Sequence, residues 1–151
     1  MKSSAIRIVL LAASSKIPMK STAGAEGFDL FARRDMRVPG ASASRGRVTI
    51  GRALVPTGIA IELPGGYVGR IGARSGLSTK HNVEIGAGWI DPDYRGELQV
   101  EVKNFGPVDF LVKKNMRIAQ LFVLRTAGAK LRVVKRLSRT ARGGRGFGST
   151  G

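Results

Sequence analysis

The sequence predicts a single all-β domain, a barrel or jelly-roll-like sandwich with at most one short helix. Apolar residues alternate with polar ones over short stretches, for example at Ile59, Ile61 and Leu63, and this period of two is typical of half-buried strands. No apolar period of 3.6 residues continues for three turns, and the 21 glycines are spread along the chain as turns. Many short strands separated by close turns are typical of barrels and sandwiches.

Eight segments follow the strand pattern. The first, at residues 6–11, is interrupted by Arg7, which favours a strand over the apolar part of a secretion signal. We expect Pro64-Gly65-Gly66 to form a hairpin turn, residues 75–80 to form one or two helical turns, and residues 40–46 to form a flexible surface loop. The predicted strands are residues 6–11, 28–32, 59–63, 67–71, 98–102, 110–112, 118–124 and 131–134.

The composition excludes several kinds of site. The 151 residues contain no cysteine, which excludes a disulfide framework, a thiolate metal site and thiol catalysis. The one histidine, His81, is too few for a histidine-rich zinc site and leaves a single possible base for a Ser-His-Asp triad. No segment reaches the roughly 18 apolar residues that span a membrane. We therefore expect no membrane contact and an intracellular location, cytoplasmic or nuclear.

Charge is distributed unevenly along the chain. There are 26 Lys and Arg residues against 10 Asp and Glu residues, and the formal net charge is +16. From Phe110 to the end there are eleven basic residues and no acidic one, whereas five of the ten acidic residues lie between Glu84 and Glu101. This pattern indicates a polyanionic ligand beside a place where carboxylates are needed. A basic surface that only keeps the protein in solution is the alternative.

The last ten residues, 142–151, are rich in glycine and arginine, and we expect them to form a mobile arm until something binds them. They include a GxGxxG pattern, but a dinucleotide site also needs a strand before it and a helix after it, which are missing here. Arginine forks and glycine amides suit phosphate oxygens. A nonspecific RNA-binding arm is the alternative.

The acidic segment at residues 88–96 carries the clearest candidate for catalysis. Asp91 follows an apolar pair and precedes Pro92, so we expect it at the end of a strand in a fixed, partly dry position. Such a carboxylate can act as a general base toward water or as a metal ligand. Tyr94 offers a flat face to a sugar or a base. From spacing alone, an Asx-type turn that closes a hairpin is favoured as the explanation of Asp91.

A third candidate segment begins at Arg74. Arg74, Ser75 and Gly76 combine a forked cation, a hydroxyl and a close backbone approach at the predicted helix start. That combination suits a phosphate group. Alternatively, Ser75 is only the cap of the helix.

Together, five segments resemble in order and spacing the five motifs of the trimeric dUTPase family. They are residues 27–30, 73–77, 88–96, 117–121 and 142–151, and the resemblance covers residues 23–151. It implies a jelly-roll or β-clip-like barrel at residues 1–141 with a C-terminal arm at 142–151. It also implies a dUTP diphosphatase that hydrolyses dUTP to dUMP and pyrophosphate with Mg²⁺. This activity would limit uracil in DNA and supply dUMP for dTMP synthesis.

The resemblance also implies roles for single residues around the base and sugar. The family aspartate that matches Asp91 activates the water that attacks the α-phosphorus. The tyrosine that matches Tyr94 packs against deoxyribose and crowds out a 2′-hydroxyl, because an apolar pocket alone rejects an added hydroxyl poorly. Main-chain groups of residues 85–90 would read uracil. The residues assigned to this part of the substrate are Ile85, Gly88, Trp89, Ile90 and Gln99.

The phosphates, the metal and the arm are assigned in the same way. Asp29 would support Mg²⁺ through coordinated water, since this ion keeps much of its hydration. Phe147 would stack on uracil and Arg142 would reach the γ-phosphate when the arm closes. The resemblance further implies a threefold homotrimer in which subunits share each site. The remaining phosphate-binding and arm residues are Arg74, Ser75, Gly76, Gln120, Gly148 and Ser149.

The sequence departs from the family pattern at several positions. Ala73 stands where proline is usual, and Trp89 replaces a smaller aliphatic residue, so we expect its side chain in the core or at a subunit interface. Asn115-Met116 replaces a pair of glycine and an acidic residue. The change removes a carboxylate that could pair with Arg117.

Two other functions remain open from the sequence. A basic β-module could bind nucleic acid through the arm, but only Phe110, Phe122 and Phe147 lie in the basic third as stacking platforms. Nucleic-acid contact is therefore not expected to be the main function. The related dCTP deaminase shares the fold, but it requires a glutamate base at the pyrimidine C4 amino group.

Overall fold

The computed structural model describes residues 5–145, and the regular structure in that range is mostly β, as predicted. The single short helix, α1 (Ser75–His81), confirms the expected helical turns. Within the described range no helix has the length and apolar character needed to cross a membrane. In chain order the strands are β1 (Arg7–Leu10), β2 (Phe28–Phe31), β3 (Met36–Val38), β4 (Ser42–Ser44), β5 (Arg47–Thr49), β6 (Gly51–Glu62), β7 (Tyr67–Gly72), β8 (Val83–Ile85), β9 (Trp89–Ile90), β10 (Glu97–Asn104), β11 (Phe110–Val112) and β12 (Arg117–Arg125).

Two four-stranded antiparallel sheets form the body of the fold. One sheet has the order β1-β6-β10-β8, and the other has the order β2-β12-β7-β9. The pairs β3–β11 and β4–β5 form two small additional ribbons. Because β12 pairs with both β2 and β7, strands that are far apart in sequence become neighbours. This arrangement places residues of three predicted motifs on one sheet.

Both sheets contribute to one apolar core. On β10, Leu98, Val100 and Val102 are buried, and the residues between them are more exposed. Ile71 on β7 and Ile118 on β12 belong to the same cluster of buried side chains. Each fully buried Leu, Ile or Val contributes roughly 1.5–3 kcal/mol. The core therefore stabilises the domain without disulfides.

The buried side chain of Asn104 anchors the loop that follows β10. Its Nδ2 donates to the carbonyl of Val108 at 2.8 Å and to that of Val38 at 3.3 Å, while its Oδ1 accepts from the Gly106 amide at 3.0 Å. Three satisfied hydrogen bonds offset the cost of burying an amide. The contact was not predicted, because its partners lie on another strand and in a turn.

Two surface carboxylates, Asp35 and Asp109, accept hydrogen bonds from backbone amides of other loops. The backbone amide of Lys114 donates to Asp35 at 2.7 Å and is the main reason that the pKa of Asp35 is lowered. The Gly40 amide, at 3.0 Å, and then Arg37 lower the pKa of Asp109 in the same way. A lowered carboxyl pKa stabilises the fold at neutral pH, and this stabilisation is lost as the pH falls through the lowered pKa.

Two predicted turns have a different structure. Pro64-Gly65-Gly66 connects β6 to β7, which belong to different sheets, so the predicted hairpin is wrong. Residues 40–46, predicted as a flexible loop, contain β4 and the turn of the β4–β5 hairpin. Arg45 and Gly46 adopt φ values of 48° and 74° in that turn. Positive φ at both central residues is typical of the tight hairpin turn that matches strand twist.

The strand predicted at residues 131–134 is also wrong. Residues 126–145 contain no strand or helix, and every one of them is exposed. Leu131 and Val133 are 103% and 101% exposed, which is as open as in an extended free chain. The apolar alternation of this segment therefore has no partner in the same chain, and a strand needs one to form its hydrogen bonds.

Candidate active site

A cavity of about 250 Å³ opens beside β9, at the edge of the second sheet. Its floor is the short segment that precedes β9, held by a hydrogen bond of 2.7 Å from the Ile71 amide to the Gly88 carbonyl. A Cβ at Gly88 would lie 2.5 Å from the Ile71 carbonyl oxygen, so only glycine permits this approach. The lining residues are Ala87, Gly88, Trp89, Ile90, Asp91, Tyr94 and Gln99.

Asp91 follows β9 directly and faces this cavity, as predicted from its position in the sequence. Asp91 is exposed. The sequence predicted a partly dry position, so that part of the prediction is wrong. The turn bond at this position joins the Tyr94 amide to the main-chain carbonyl of Asp91 at 3.1 Å. Among the described residues the Asp91 carboxylate has no partner. It is therefore available to a water or a ligand, and it does not close an Asx turn.

Tyr94 is fixed in place at the rim of the cavity. Its hydroxyl donates to the Glu97 carbonyl at 3.0 Å, and a Cβ at Gly96 would lie 2.7 Å from the ring carbon Cζ. The hydroxyl end of the ring therefore lies against Gly96. A ring held at its hydroxyl end can exclude a substituent from the space that it faces.

Trp89 lies on the surface, not in the core. Its side chain is 63% exposed, and the Arg70 guanidinium lies 5.1 Å from its ring centre. The pairing of β7 with β9 places these two residues directly opposite each other. A cation over an indole ring contributes about 0.5–1 kcal/mol at an exposed site. Trp89 is also the only tryptophan in the chain, so its fluorescence reports on this cavity.

A second cluster is built around Asp29, whose side chain is 0% exposed. Its carboxylate accepts from Arg74 Nε at 3.2 Å, from Arg117 Nη1 at 3.3 Å and from the Ser21 hydroxyl at 3.0 Å. A buried carboxylate needs such partners, because burial otherwise penalises its charged form. Nη1 of Arg74 also donates to the carbonyl of Arg117 at 3.3 Å. Asp29 thus holds two arginines side by side.

The other predicted phosphate-binding residues lie next to this cluster. Gln120 on β12 is opposite Asp29 on β2 and Gly72 on β7. Arg74 is the N-cap residue of α1, so Ser75 is not the helix cap, and both Ser75 and Gly76 are exposed. Anion-binding groups from three segments therefore meet at one end of the second sheet.

The carboxylate that Arg117 lacks in its own segment is supplied by Asp29. Asn115 occupies the position where the family pattern has glycine, and its φ of 65° lies in the left-handed region. Asparagine tolerates this region better than most residues. The replacement therefore leaves the turn intact.

The structure brings the predicted residues together in two places, not one. Asp91, Tyr94 and Gln99 line the cavity beside β9, whereas Asp29 and Arg74 lie around β2 and α1. Asp29 is level with Gly72, the last residue of β7, at the end of the sheet that leads into Arg74. Asp91 follows Ile90, which is opposite Gly69 on β7, so it lies beside Val68, about 13 Å farther back along the sheet. A single chain therefore does not place the Asp91 carboxylate among these arginines.

The Asp29 cluster does not form a metal site by itself. Mg²⁺ prefers several oxygen ligands in an octahedral arrangement, but the Asp29 side chain is 0% exposed and both of its oxygens accept from cationic or hydroxyl donors. Among residues 5–145 no group of three His, Asp or Glu side chains could hold a metal ion. Support of Mg²⁺ by Asp29 through water stays a prediction.

The arm can be described only in part. Residues 142–145 are exposed, and the Arg145 Nε donates to the Arg142 carbonyl at 3.0 Å. The predicted contacts of Phe147, Gly148 and Ser149 lie outside the described residues. Ile85 is partly buried on β8 opposite Val102 and does not line the cavity.

Comparison with known proteins decides the family. The sequence model of the dUTPase family matches residues 13–151. The chain belongs to the dUTPase family. It is 43% identical over 134 residues to the deoxyuridine 5'-triphosphate nucleotidohydrolase of fowl adenovirus A serotype 1, a match that covers 89% of this chain and 70% of the relative. The enzyme of that name from Paramecium bursaria Chlorella virus 1 is 42% identical over 148 residues, 98% of this chain and 99% of the relative.

Solved dUTPase structures share the fold. The Staphylococcus bacteriophage 80alpha dUTPase with dUPNHPP matches with a TM-score of 0.85 and 25% identity over 97% of this chain and 98% of that one. A mutant dUTPase from phage phi11 of S. aureus, described with a structural Mg(II) ion, matches with a TM-score of 0.76 at 21% identity, over 87% of this chain and 97% of that one. The dUTPase motifs read from the sequence thus coincide with the dUTPase fold.

Sequence reasoning missed three residues of this dUTPase chain. Arg117 was noted only for a carboxylate that it lacks, Arg70 was not singled out, and Glu101 was counted only as part of the acidic segment. The contacts of all three cross between strands. The alternation of β10 could have indicated that Glu101 faces the same side as Gln99.

Proposed function

We propose that this chain is a dUTP nucleotidohydrolase that forms dUMP and pyrophosphate, with Asp91 as the base that activates water. The supporting observation is the unpartnered Asp91 carboxylate in a cavity that also holds Tyr94. A general base must lie within hydrogen-bond reach of the proton that it takes, and an unpartnered carboxylate leaves that place open to water. Water would add to the α-phosphorus, pyrophosphate would leave with the bridging oxygen, and the proton from water would pass to Asp91.

In this proposal the uracil ring of the substrate lies against the segment at residues 86–90. Its phosphates lie at Arg74, Ser75, Gly76 and Gln120. Guanidinium forks bind phosphate oxygens in a bidentate manner. Mg²⁺ would arrive with the triphosphate and neutralise part of its charge. The arginine pair of the Asp29 cluster would neutralise charge from the protein side.

The direct test is pyrophosphate release from dUTP, compared with UTP, dTTP and dCTP in the presence of Mg²⁺. We expect rapid release from dUTP only. Ammonia release from dCTP would instead support the deaminase alternative. Quenching of Trp89 fluorescence by dUMP would measure binding separately from catalysis, because this indole borders the cavity.

We also propose that the protein is a jelly-roll homotrimer whose sites are shared between subunits. The separation of the two clusters, about 13 Å along the second sheet, supports this, since a second subunit could place its Asp91 beside the arginines of the first. The exposed apolar side chains of Leu131, Val133 and Leu137 support it as well, because a second copy could cover them. Light scattering should give about three times the chain mass of 16.1 kDa.

Tyr94 should determine discrimination against ribonucleotides. The hydroxyl bond to Glu97 and the contact with Gly96 fix the ring, so a 2′-hydroxyl would collide with it. We expect Tyr94→Ala to lower the ratio of kcat/KM for dUTP over UTP by at least tenfold, because an open apolar pocket rejects a hydroxyl poorly. Steady-state kinetics with both nucleotides measure this ratio. An unchanged ratio in a folded variant would remove Tyr94 from the proposal.

We further propose that residues 142–151 form an arm that closes over the substrate, separate from the domain at 1–141. Deleting the arm should leave a folded trimer and lower kcat/KM for dUTP by about a hundredfold, as expected when a lid no longer positions the substrate. The matched control is Arg139→Gln, which changes a nearby charge and leaves the arm intact. Unchanged kinetics after the deletion would show that the arm is not a lid.

A further inference from the structure

Glu101 makes an unusual contact for a residue on the outer face of a sheet. It lies on β10 between Gln99 and Lys103, yet its side chain is only 18% exposed. One carboxylate oxygen, Oε2, accepts from the Ala87 amide at 2.7 Å, and its main-chain carbonyl accepts from the Gly86 amide at 2.9 Å. Glu101 therefore binds the start of the segment at residues 86–88 twice, once through the main chain and once through the side chain.

The backbone is shaped to admit this carboxylate. A Cβ at Gly86 would overlap Oε2 of Glu101 and would lie 2.5 Å from its Cδ. Gly86 does not have a positive φ, so the glycine is required for space and not for backbone conformation. The guanidinium of Arg52 lies 4.0 Å from the second carboxylate oxygen and keeps a positive charge near the group.

The segment that Glu101 holds is bound at its other end by the Ile71 amide, which donates to the Gly88 carbonyl. It lies between β8 and β9 and belongs to neither strand, and its residues Ala87 and Gly88 line the cavity. A hydrogen bond to a charged acceptor is roughly twice as strong as one between neutral groups. The Glu101 carboxylate thus fixes the position of residues 86–88. In the proposed function the uracil ring lies against these residues.

We propose that Glu101 is a positioning residue for base recognition, because its carboxylate holds residues 86–88 at the distance that admits uracil and excludes a methyl group. The inference rests on the proposed function, in which main-chain groups of this segment read the base. Asp91 is held separately by its own turn with Tyr94. Loss of the carboxylate should therefore weaken base binding and base discrimination much more than turnover.

Three variants test this role. Glu101→Ala should raise KM for dUTP about tenfold, which corresponds to the loss of one charge-assisted hydrogen bond, with kcat within threefold of wild type. The ratio of kcat/KM for dUTP over dTTP should fall in the same variant. Glu101→Gln retains an oxygen that can accept from the Ala87 amide, so it should restore KM to within threefold. Glu26→Ala, which removes an 87% exposed carboxylate that does not line the cavity, is the control and should change neither constant.

A second perturbation covers the case in which Glu101→Ala does not fold. Gly86→Ala keeps the carboxylate but displaces it from the amide, and it should reproduce the rise in KM. Unchanged KM and unchanged dUTP/dTTP ratio in either folded variant would overturn the proposal, and so would equal impairment in Glu101→Gln and Glu101→Ala. Absence of dUTP hydrolysis in the wild-type protein would refute the proposed function instead, so the two failures are distinguishable.

Discussion

Replacing Asp91 with asparagine should lower kcat for dUTP by about a thousandfold, within the range that a general base contributes. Asparagine has nearly the same size and still accepts hydrogen bonds, but it cannot take a proton from water. The carboxylate has no partner among the described residues, so its replacement breaks no contact of the fold. Affinity for dUTP should therefore stay within a few fold of wild type.

Kinetics of pyrophosphate release measure the loss of turnover, and Trp89 fluorescence measures dUTP affinity in the same variant. Asp93→Asn is the matched control, because Asp93 is an exposed carboxylate two residues away that does not line the cavity. It should keep near wild-type turnover. Turnover of Asp91→Asn within tenfold of wild type would mean that another group activates the water.

Replacing Asp29 with asparagine should have the second largest effect, on both stability and catalysis. The variant removes the fully buried charge that joins Arg74 to Arg117 and leaves two guanidinium groups facing a neutral amide. Breaking a buried ion pair costs about 3–5 kcal/mol, but both arginines can regain water at their exposed ends. We therefore expect a loss of about 2 kcal/mol in the free energy of unfolding.

In the Asp29→Asn variant, kcat/KM for dUTP should fall by more than the loss of folded protein explains. Without the carboxylate the Arg74 guanidinium loses its fixed position, and a displacement of about 1 Å can cost a hundredfold in rate. We expect kcat/KM for dUTP to fall about a hundredfold, with weaker inhibition by pyrophosphate as a sign of lost phosphate binding. Urea denaturation and inhibition kinetics measure the two effects.

Ser21→Ala is the control for the Asp29 variant. It removes one neutral donor from the same carboxylate, which should cost about 1 kcal/mol of stability and leave pyrophosphate inhibition within threefold of wild type. If Asp29→Asn binds pyrophosphate as tightly as wild type does, Asp29 does not organise the arginines. Its role would then be restricted to the fold.

Much of the fold could be predicted because alternation of apolar residues is a local property. The segments that became β2, β7, β10 and β12 each carry enough apolar residues to form one buried face. The apolar pattern of β1 also predicted a strand, but its residues are exposed. The strand predicted at residues 131–134 has the same pattern but no neighbouring strand within the chain. Pattern alone indicates that a segment can pair, and only a partner makes it a strand.

The turns show a second limit of local reasoning. Pro64-Gly65-Gly66 contains the residues that turns favour, but these residues do not determine whether the next strand returns to the same sheet. That choice depends on which sheet can bury the apolar face of β7. At residues 40–46 the abundance of small residues suggested mobility, whereas pairing of β4 with β5 orders the segment.

The sequence by itself determined the family and the mostly β fold and supplied the candidate site residues, because motif residues and apolar alternation are visible without coordinates. Only the tertiary structure decided three other points. Asp29 lies between two arginines, and Asp91 is exposed after β9, three strands from β2 in the same sheet. Glu101 binds the segment that lines the cavity. Each of these facts depends on pairing between strands that are distant in sequence. Side-chain distances across a sheet follow from strand order and register, which local pattern does not specify.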